Sequence, residues 1–237
     1  MGRAKDIIVK VIPAKIANEF VRKHHYSGKV AATGLIFFGA FLDNKMIGVA
    51  QWGRPINKYL HLHLVENTKW NDFLELNRMV FDDYLPKYSE SRCIAISIKL
   101  IKKNAPQIKW IVSYADAIQC GDGTIYRASG FYLTSIKKNT ELYKINDKVY
   151  HTLTLCSARP SIAQKEMRKK TGQETGSVKK LVKSMGGETM DGKQLRYIYL
   201  IDKTCKITVP IIPFSKIDEM GAGMYKGEKI TMAERKE

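Results

Sequence analysis

The sequence predicts an α/β or α+β fold, a mixed and mostly antiparallel central sheet flanked by helices. Three observations carry that prediction. Stretches with apolar residues at alternate positions recur along the chain, separated by stretches with apolar spacing of three and four. Their order is strand, helix, three or four antiparallel-type strands, helix, strand, helix, strands, which implies helices packed on a sheet. The 237 residues are 44% hydrophobic, enough to bury a sizeable core.

The elements read in order as follows. Residues 6–12, DIIVKVI, form a strand, and Pro13 sits where a helix can begin. AKIANEFVRKHH then places Ile16, Phe20 and Val21 at helical spacing, with Gly28 available for a left-handed residue at the end. LIFFGAFLDNKMIGVAQWG has two apolar runs around Asp43-Asn44-Lys45, the signal of a hairpin. YLHLHLVEN and FLELNRMVF alternate and read as strands. In the second, Leu74, Leu76, Arg78 and Val80 fall on one face, so Arg78 is a lone charge in an apolar row.

SESRCIAISIKLIKKNAP reads as a helix capped by Ser89 or Ser91, with Ile94, Ile98 and Ile101 inward and Pro106 beyond its end. IKWIVSYAD is a buried strand, GTIYRASGF a short helix ending at Gly130, and FYLTSI the strand after it. KVYHTLTL alternates again. LRYIYLID and CKITVPIIPF return to strand character late in the chain, Pro210 and Pro213 confining the latter to an edge. The last dozen residues read as frayed. The layout expected is a core over 1–156 and a basic extension over 157–237, packed on it as a single domain.

Forty Lys and Arg stand against 23 Asp and Glu, a formal net charge of +17. Charge of that size and sign favours a polyanionic partner, most simply nucleic acid. The excess is spread over both halves. It is densest at 159–183, where Arg168, Lys169, Lys170, Lys179, Lys180 and Lys183 are candidates for phosphate contact. A solvated helix face and a flexible turn around Thr171 to Ser177 are the plainer reading of the same stretch. Cys93, Cys120, Cys156 and Cys205 stand far apart without a CxxC pair, which argues against a zinc ribbon or disulfide framework and suits a reducing cytoplasm. The sequence shows no signal-peptide pattern and no apolar run approaching a membrane span, so no membrane partner is expected.

Asp116 stands where the buried strand IVSYA emerges, the usual place for a ligand-facing group in such a sheet. Tyr126, ten residues on, can return from the following helix toward the same opening. Gly121-Asp122-Gly123 lacks the spacing of a P-loop or a dinucleotide fingerprint and reads as a tight turn into a helix N-terminus. His25 ends the first helix, where a histidine serves as base, ligand or dipole partner. His61 and His63 share one face of an expected strand, without the acid or Cys that would complete a metal site. Neither GxSxG nor HExxH occurs.

GTIYRASGFYLTS resembles the helix-and-strand ending of GNAT-type acyltransferases. More specifically, HHYSGK at 24–29, ELNRMVF at 75–81, SESR at 89–92, SYAD with GTIYRASGF, and LRYIYL at 195–200 resemble the Mom family of phage DNA-modification proteins. The resemblance implies a GNAT-like fold and conversion of adenine in double-stranded phage DNA to an N6-carbamoylmethyl form that evades host restriction, in the bacterial cytoplasm. It also implies site residues: His25, Tyr26, Asp116 and Tyr126 for catalysis, Arg78 and Ser91 for the group donor. Ser89 and Arg92, at the same helix N-terminus as Ser91, are added for an anionic donor. The donor stays open between acetyl-CoA and a related small molecule, YLPKYSESRC lacking the glycines of the usual pyrophosphate grip. Iron is open too, with His25 and Asp116 as its candidate ligands, and so is a homo-oligomer. Two rivals remain at this point: a conventional acetyl-CoA-dependent N-acetyltransferase, and a non-catalytic DNA-binding protein.

Overall fold

A computed structural model gives the fold, with residues 3–82, 85–155, 165, 168–169, 172 and 177–235 described. Seven strands form one sheet: β1 (Ile8–Val11), β2 (Gly34–Leu42), β3 (Lys45–Gly53), β4 (Phe73–Phe81), β5 (Trp110–Ala117), β6 (Tyr132–Lys138) and β10 (Lys193–Leu200). Their order across the sheet is β1-β2-β3-β4-β5-β10-β6. The first four are successively antiparallel, and β4 and β5 are parallel, so the sheet is mixed. Asp43 and Asn44 both adopt positive φ, as a two-residue turn matching the twist of β2 and β3 requires.

Helix α1 (Ala14–His24) packs through Ala17 and Val21 on Val49 and Val80. On the opposite face, α2 (Ser89–Asn104) buries Ile94, Ile98 and Ile101 against Trp52, Leu74, Leu76 and Ile111, joined by Tyr126 of α3 (Thr124–Ala128). Burying Trp52, Leu74, Ile94 and Ile111 this fully is worth about 1.5–3 kcal/mol per side chain before entropy is counted.

The chain divides into two compact units, Met1–Ile136 with Leu195–Glu237, and Lys137–Gln194. The second unit thus starts before the expected boundary at 156/157 and ends before the chain does. The reason is pairing: β7 (Leu142–Ile145) and β8 (Lys148–His151) form a hairpin, and β9 (Glu188–Thr189) joins β7. Tyr143, Ile145, Leu155 and Val182 fill this unit's own core, with α4 (Thr152–Leu155) and α5 (Val178–Ser184) contributing. The last strand, β10, belongs to the large sheet.

Several local expectations change. YLHLHLVEN is no strand: Lys58–Leu60 is a 3₁₀ turn and 61–64 continue as turns. TLTL, after β8, is α4. CKITVPIIPF contributes one isolated bridge, Ile207 with Val65, because its prolines deny the ladder its donors. The α2 cap is Tyr88 in left-handed geometry, not a serine. Among the described residues the tail through Arg235 is not frayed. Met224, Gly227 and Arg235 all bond to residues of the 120–124 loop, and α6 (Lys216–Glu219) buries Ile217 in the main core. Among the described residues no helix is long and apolar enough to cross a membrane.

Candidate active site

The site arises where two parallel strands part. β4 and β5 pair over only Phe73–Glu75 against Trp110–Val112. Just beyond, the Ser113 hydroxyl reaches the Leu76 carbonyl at 3.4 Å. Backbone groups beyond that point face a gap instead of a ladder partner.

A bulge in β4 decides what lines this gap. Gln51 pairs with Arg78 and Trp52 with Leu76, so Asn77 is an extra residue. Paired residues share a face, hence Arg78 lies with Gln51 and opposite Leu76. The single apolar row of Leu74, Leu76, Arg78 and Val80 is therefore corrected. Leu74 and Leu76 face α2, while Glu75, Arg78 and Val80 face the α1 side. On β5, Ile111, Ala115 and Ala117 join the α2-side core, which leaves Tyr114 and Asp116 on the face shared with Glu75 and Arg78.

Arg78 is held by two carbonyls, its Nε donating to Lys29 at 3.0 Å and its Nη1 to Asn77 at 2.6 Å. The Asp116 carboxylate accepts the Ile118 N–H at 3.1 Å, and its backbone carbonyl accepts those of Cys120 and Gly121 at 3.2 Å each. Burial nevertheless pushes Asp116 up to about 6. Burial also pushes Glu75 up to about 7, against a hydrogen bond from Asn77 and the charge of Arg78. Tyr126 is buried, which raises its hydroxyl to about 12, with Ser113 hydrogen-bonded beside it. Tyr26 leaves 54% of its surface exposed at the mouth. Its hydroxyl is raised first by burial and then by the charge of Asp116. Two carboxyls that titrate near neutrality beside two protonated phenols make a set able to move protons.

His25 is drawn down to about 4 by burial and by Arg78. Its Nδ1 accepts the Ser27 N–H at 3.1 Å, with the Ser27 hydroxyl at 2.9 Å, so the neutral ring carries its proton on Nε2. That occupies Nδ1 and protonates the other nitrogen, a poor arrangement for a metal ligand. Among the described residues no three His, Cys, Asp or Glu side chains come together to hold a metal ion. These residues do not fit iron.

The candidate side chains at the start of α2 are engaged by backbone carbonyls. The Ser89 hydroxyl donates to Pro86 at 2.5 Å, Ser91 to Tyr88 at 3.2 Å, and Arg92 to the Lys5 carbonyl at 2.8 Å. Glu90 adds an acid to the first turn, where a pyrophosphate would need none. This terminus does not fit a coenzyme A pyrophosphate. Of the basic candidates, Lys179, Lys180 and Lys183 are exposed on one face of α5, whose Leu181 and Val182 are buried. Lys169 is exposed, Arg168 turns in to donate to the Leu155 carbonyl at 2.5 Å, and Lys170 lies outside the described residues.

Sequence reasoning missed Glu75, Asn77, Ser113, Glu90 and Cys120. An Asn in mid-strand beside a charge was the available sign of the bulge. Cys120 lies near Asp116 and Glu90, and burial and both charges raise its thiol. Also missed was the support beneath the 118–123 loop. Fully buried Asp122 takes Arg127 at 3.1 Å, Arg235 and the Met224 N–H at 3.3 Å, and Tyr197 donates to its carbonyl. The anion at this turn is the chain's own Asp122 carboxylate. Gly123 has φ +85°, and a Cβ there would meet the Tyr197 ring at 2.5 Å.

The whole arrangement can be set beside known proteins. The sequence matches the Mom protein family over residues 6–216. It is similar to the methylcarbamoylase Mom of Escherichia phage Mu, 31% identical over 153 residues, which are 64% of this chain and 63% of that protein. The chain thus spans a little under two thirds of that relative's length. Similar solved structures include a spermidine/spermine N-acetyltransferase from Vibrio cholerae, 8% identical with a TM-score of 0.46 over 86% of this chain and 97% of that one. Another is an IAA acetyltransferase from Bacillus cereus, 10% identical with a TM-score of 0.42 over 82% and 99%. With the match running through nearly every element of the site, the chain belongs to the Mom protein family.

Proposed function

We propose that this protein is a transferase that places a carbamoylmethyl group on N6 of adenine in double-stranded DNA, so that phage DNA resists host restriction. The observation that carries this reading is the open gap between β4 and β5, with Asp116, Glu75 and Arg78 on one face of it. The name of the phage Mu relative, a methylcarbamoylase, supports the group transferred.

The chemistry asks for what the gap supplies. The adenine amine is a weak nucleophile because its lone pair is shared with the ring, and in a duplex it is stacked, so the base must be extruded. Asp116 orients the amine and takes its proton as the new N–C bond forms. Its raised pKa makes it a better base than an exposed aspartate and leaves it ionised at neutral pH. Arg78, fixed by its two carbonyls, faces negative charge developing on the small-molecule donor. Tyr126 keeps its proton and can give it to the leaving group. Tyr26, exposed at the mouth, offers a ring for the extruded base to stack on. His25, neutral and weakly basic, positions the mouth and is no competing base. The test is expression in a bacterial host and mass spectrometry of its nucleosides, with a carbamoylmethyl deoxyadenosine expected.

DNA binding itself is proposed to run through phosphates, with Lys179, Lys180 and Lys183 as an exposed cationic row and exposed Lys169 earlier in the chain. Each phosphate contact removed lowers the slope of log affinity against log salt by about 0.9. Replacing all three α5 lysines by glutamine is expected to lower it by up to about 3. Fluorescence anisotropy across a salt series reads this directly. An unchanged slope would make the row an ordinary solvated face.

A further inference from the structure

Between β3 and β4 the chain carries Ile56, Tyr59 and Leu60, which are 76%, 73% and 59% exposed. Single exposed apolar residues are ordinary, but three large ones within five positions are a surface with a purpose. Lys58 lies among them, its ammonium 5.0 Å from the centre of the Tyr59 ring. The tip is therefore apolar with a cation of its own.

The tip is held rather than loose. The Asn57 side chain accepts the Tyr59 N–H at 3.0 Å. Behind it, buried His61 places Nδ1 2.7 Å from the Asn57 carbonyl, so Nδ1 carries the proton and Nε2 accepts. The group it accepts from is the Tyr114 hydroxyl, at 2.7 Å. Arg54 anchors the same stretch, donating to Asn71 at 2.7 Å and to the Trp70 carbonyl. Tyr114 stands two residues before Asp116 on the same face of β5, about 7 Å away along the strand. Leu62, Leu64 and Trp70 pack on Trp110 and Val112 of that face. One hydrogen-bonded chain thus links the exposed tip to the strand that presents the proposed base.

We propose that Ile56, Tyr59 and Leu60 form a wedge that enters the duplex at the target step and fills the space left by the extruded adenine. The inference rests on the proposed modification of duplex DNA and supplies what that reading lacks, a means of holding the base out. Extrusion costs stacking on both sides of the base, and an inserted apolar or aromatic side chain restores part of it. A wedge must be stiff, apolar at its end and flanked by positive charge. The 56–60 tip has all three features.

A duplex with 2-aminopurine in place of one adenine reports unstacking as a rise in fluorescence, with no donor needed. The wild-type protein is expected to give that rise. The triple variant Ile56→Ser, Tyr59→Ser, Leu60→Ser should give a rise roughly tenfold smaller, the size of one lost base–aromatic stack. Its affinity at low salt should stay within about threefold, since phosphates carry it. Tyr59→Trp alone should preserve the rise. The variant changes only exposed residues, and its melting temperature checks that it folds. If wild type and triple variant unstack the probe equally, or if wild type binds without unstacking, the wedge is overturned while DNA binding stands. An equal rise together with loss of a wild-type dimer in the variant would assign the tip to self-association, again overturning it. If wild type fails to bind the duplex at all, the DNA reading itself falls and the wedge with it.

Discussion

Asp116→Asn is expected to lower adenine modification by about 10²–10⁴-fold while leaving the protein folded. Asparagine keeps the shape and keeps an oxygen for the Ile118 N–H, but it cannot take a proton. The pH dependence gives the effect a signature. Burial lifts the Asp116 carboxyl to about 6, so the base form appears as pH rises through that value. Modification by the wild type should climb between about pH 5 and 7 and then level, as a base with that pKa requires. The residual activity of the variant should lack that limb. Stability moves the other way. A carboxyl whose folded pKa lies above its unfolded value costs stability as pH rises from the unfolded value to the folded one. At neutral pH the asparagine variant should therefore be at least as stable as wild type, which separates lost chemistry from lost fold. Glu75 is the control, because burial lifts it to about 7 on the same face. Should Glu75→Gln erase the limb and Asp116→Asn leave it, the two roles would exchange.

The largest effect on stability is expected at Asp122. Its carboxylate lies fully buried between Arg127 and Arg235, with the Met224 N–H as a further donor. Asp122→Ala leaves two mostly buried guanidinium groups without their counter-charge, which costs about 3–5 kcal/mol. For a chain of this size that is a fall of about 10 °C in melting temperature. Arg235→Ala should cost less, since Arg127 still holds the carboxylate. The two losses should not add, because both variants break one network. Thermal denaturation of the two single variants and the double variant measures all three values. A drop below about 1 kcal/mol for Asp122→Ala would mean that the arginines find water when the carboxylate goes.

The Asp122 cluster also shows why parts of this site could be read from sequence and parts could not. The placement of Asp116 and Tyr126 was legible because both obey local rules, one near the end of an apolar strand and the other in the helix after a glycine turn. The hairpin at Asp43-Asn44 and the burial of Ile94, Ile98 and Ile101 followed from turn chemistry and helical period in the same way. That Glu75 and Arg78 share a face was hidden by the bulge at Asn77, since a single extra residue flips the parity of everything beyond it. Strict alternation put Arg78 among leucines when it stands with Gln51 on the other face. Arg235 was hidden by distance, lying 113 residues from its partner in a tail whose composition reads as disorder. His61 was misplaced because YLHLHLVEN alternates like a strand, yet its backbone turns to bond locally, from His61 and Leu62 back to Lys58. Long-range pairing decided the bulge and Arg235, whereas at 58–62 one local pattern gave way to another.

The proposed reaction takes place in the gap between β4 and β5, with Asp116 as the base. The most direct measurement expresses wild type and Asp116→Asn at matched levels in a bacterial host and compares the host nucleosides by mass spectrometry. A carbamoylmethyl deoxyadenosine is expected with wild type and little or none with the variant. Unaltered adenine with well-expressed wild type would contradict the proposal, and so would equal amounts of the derivative from both.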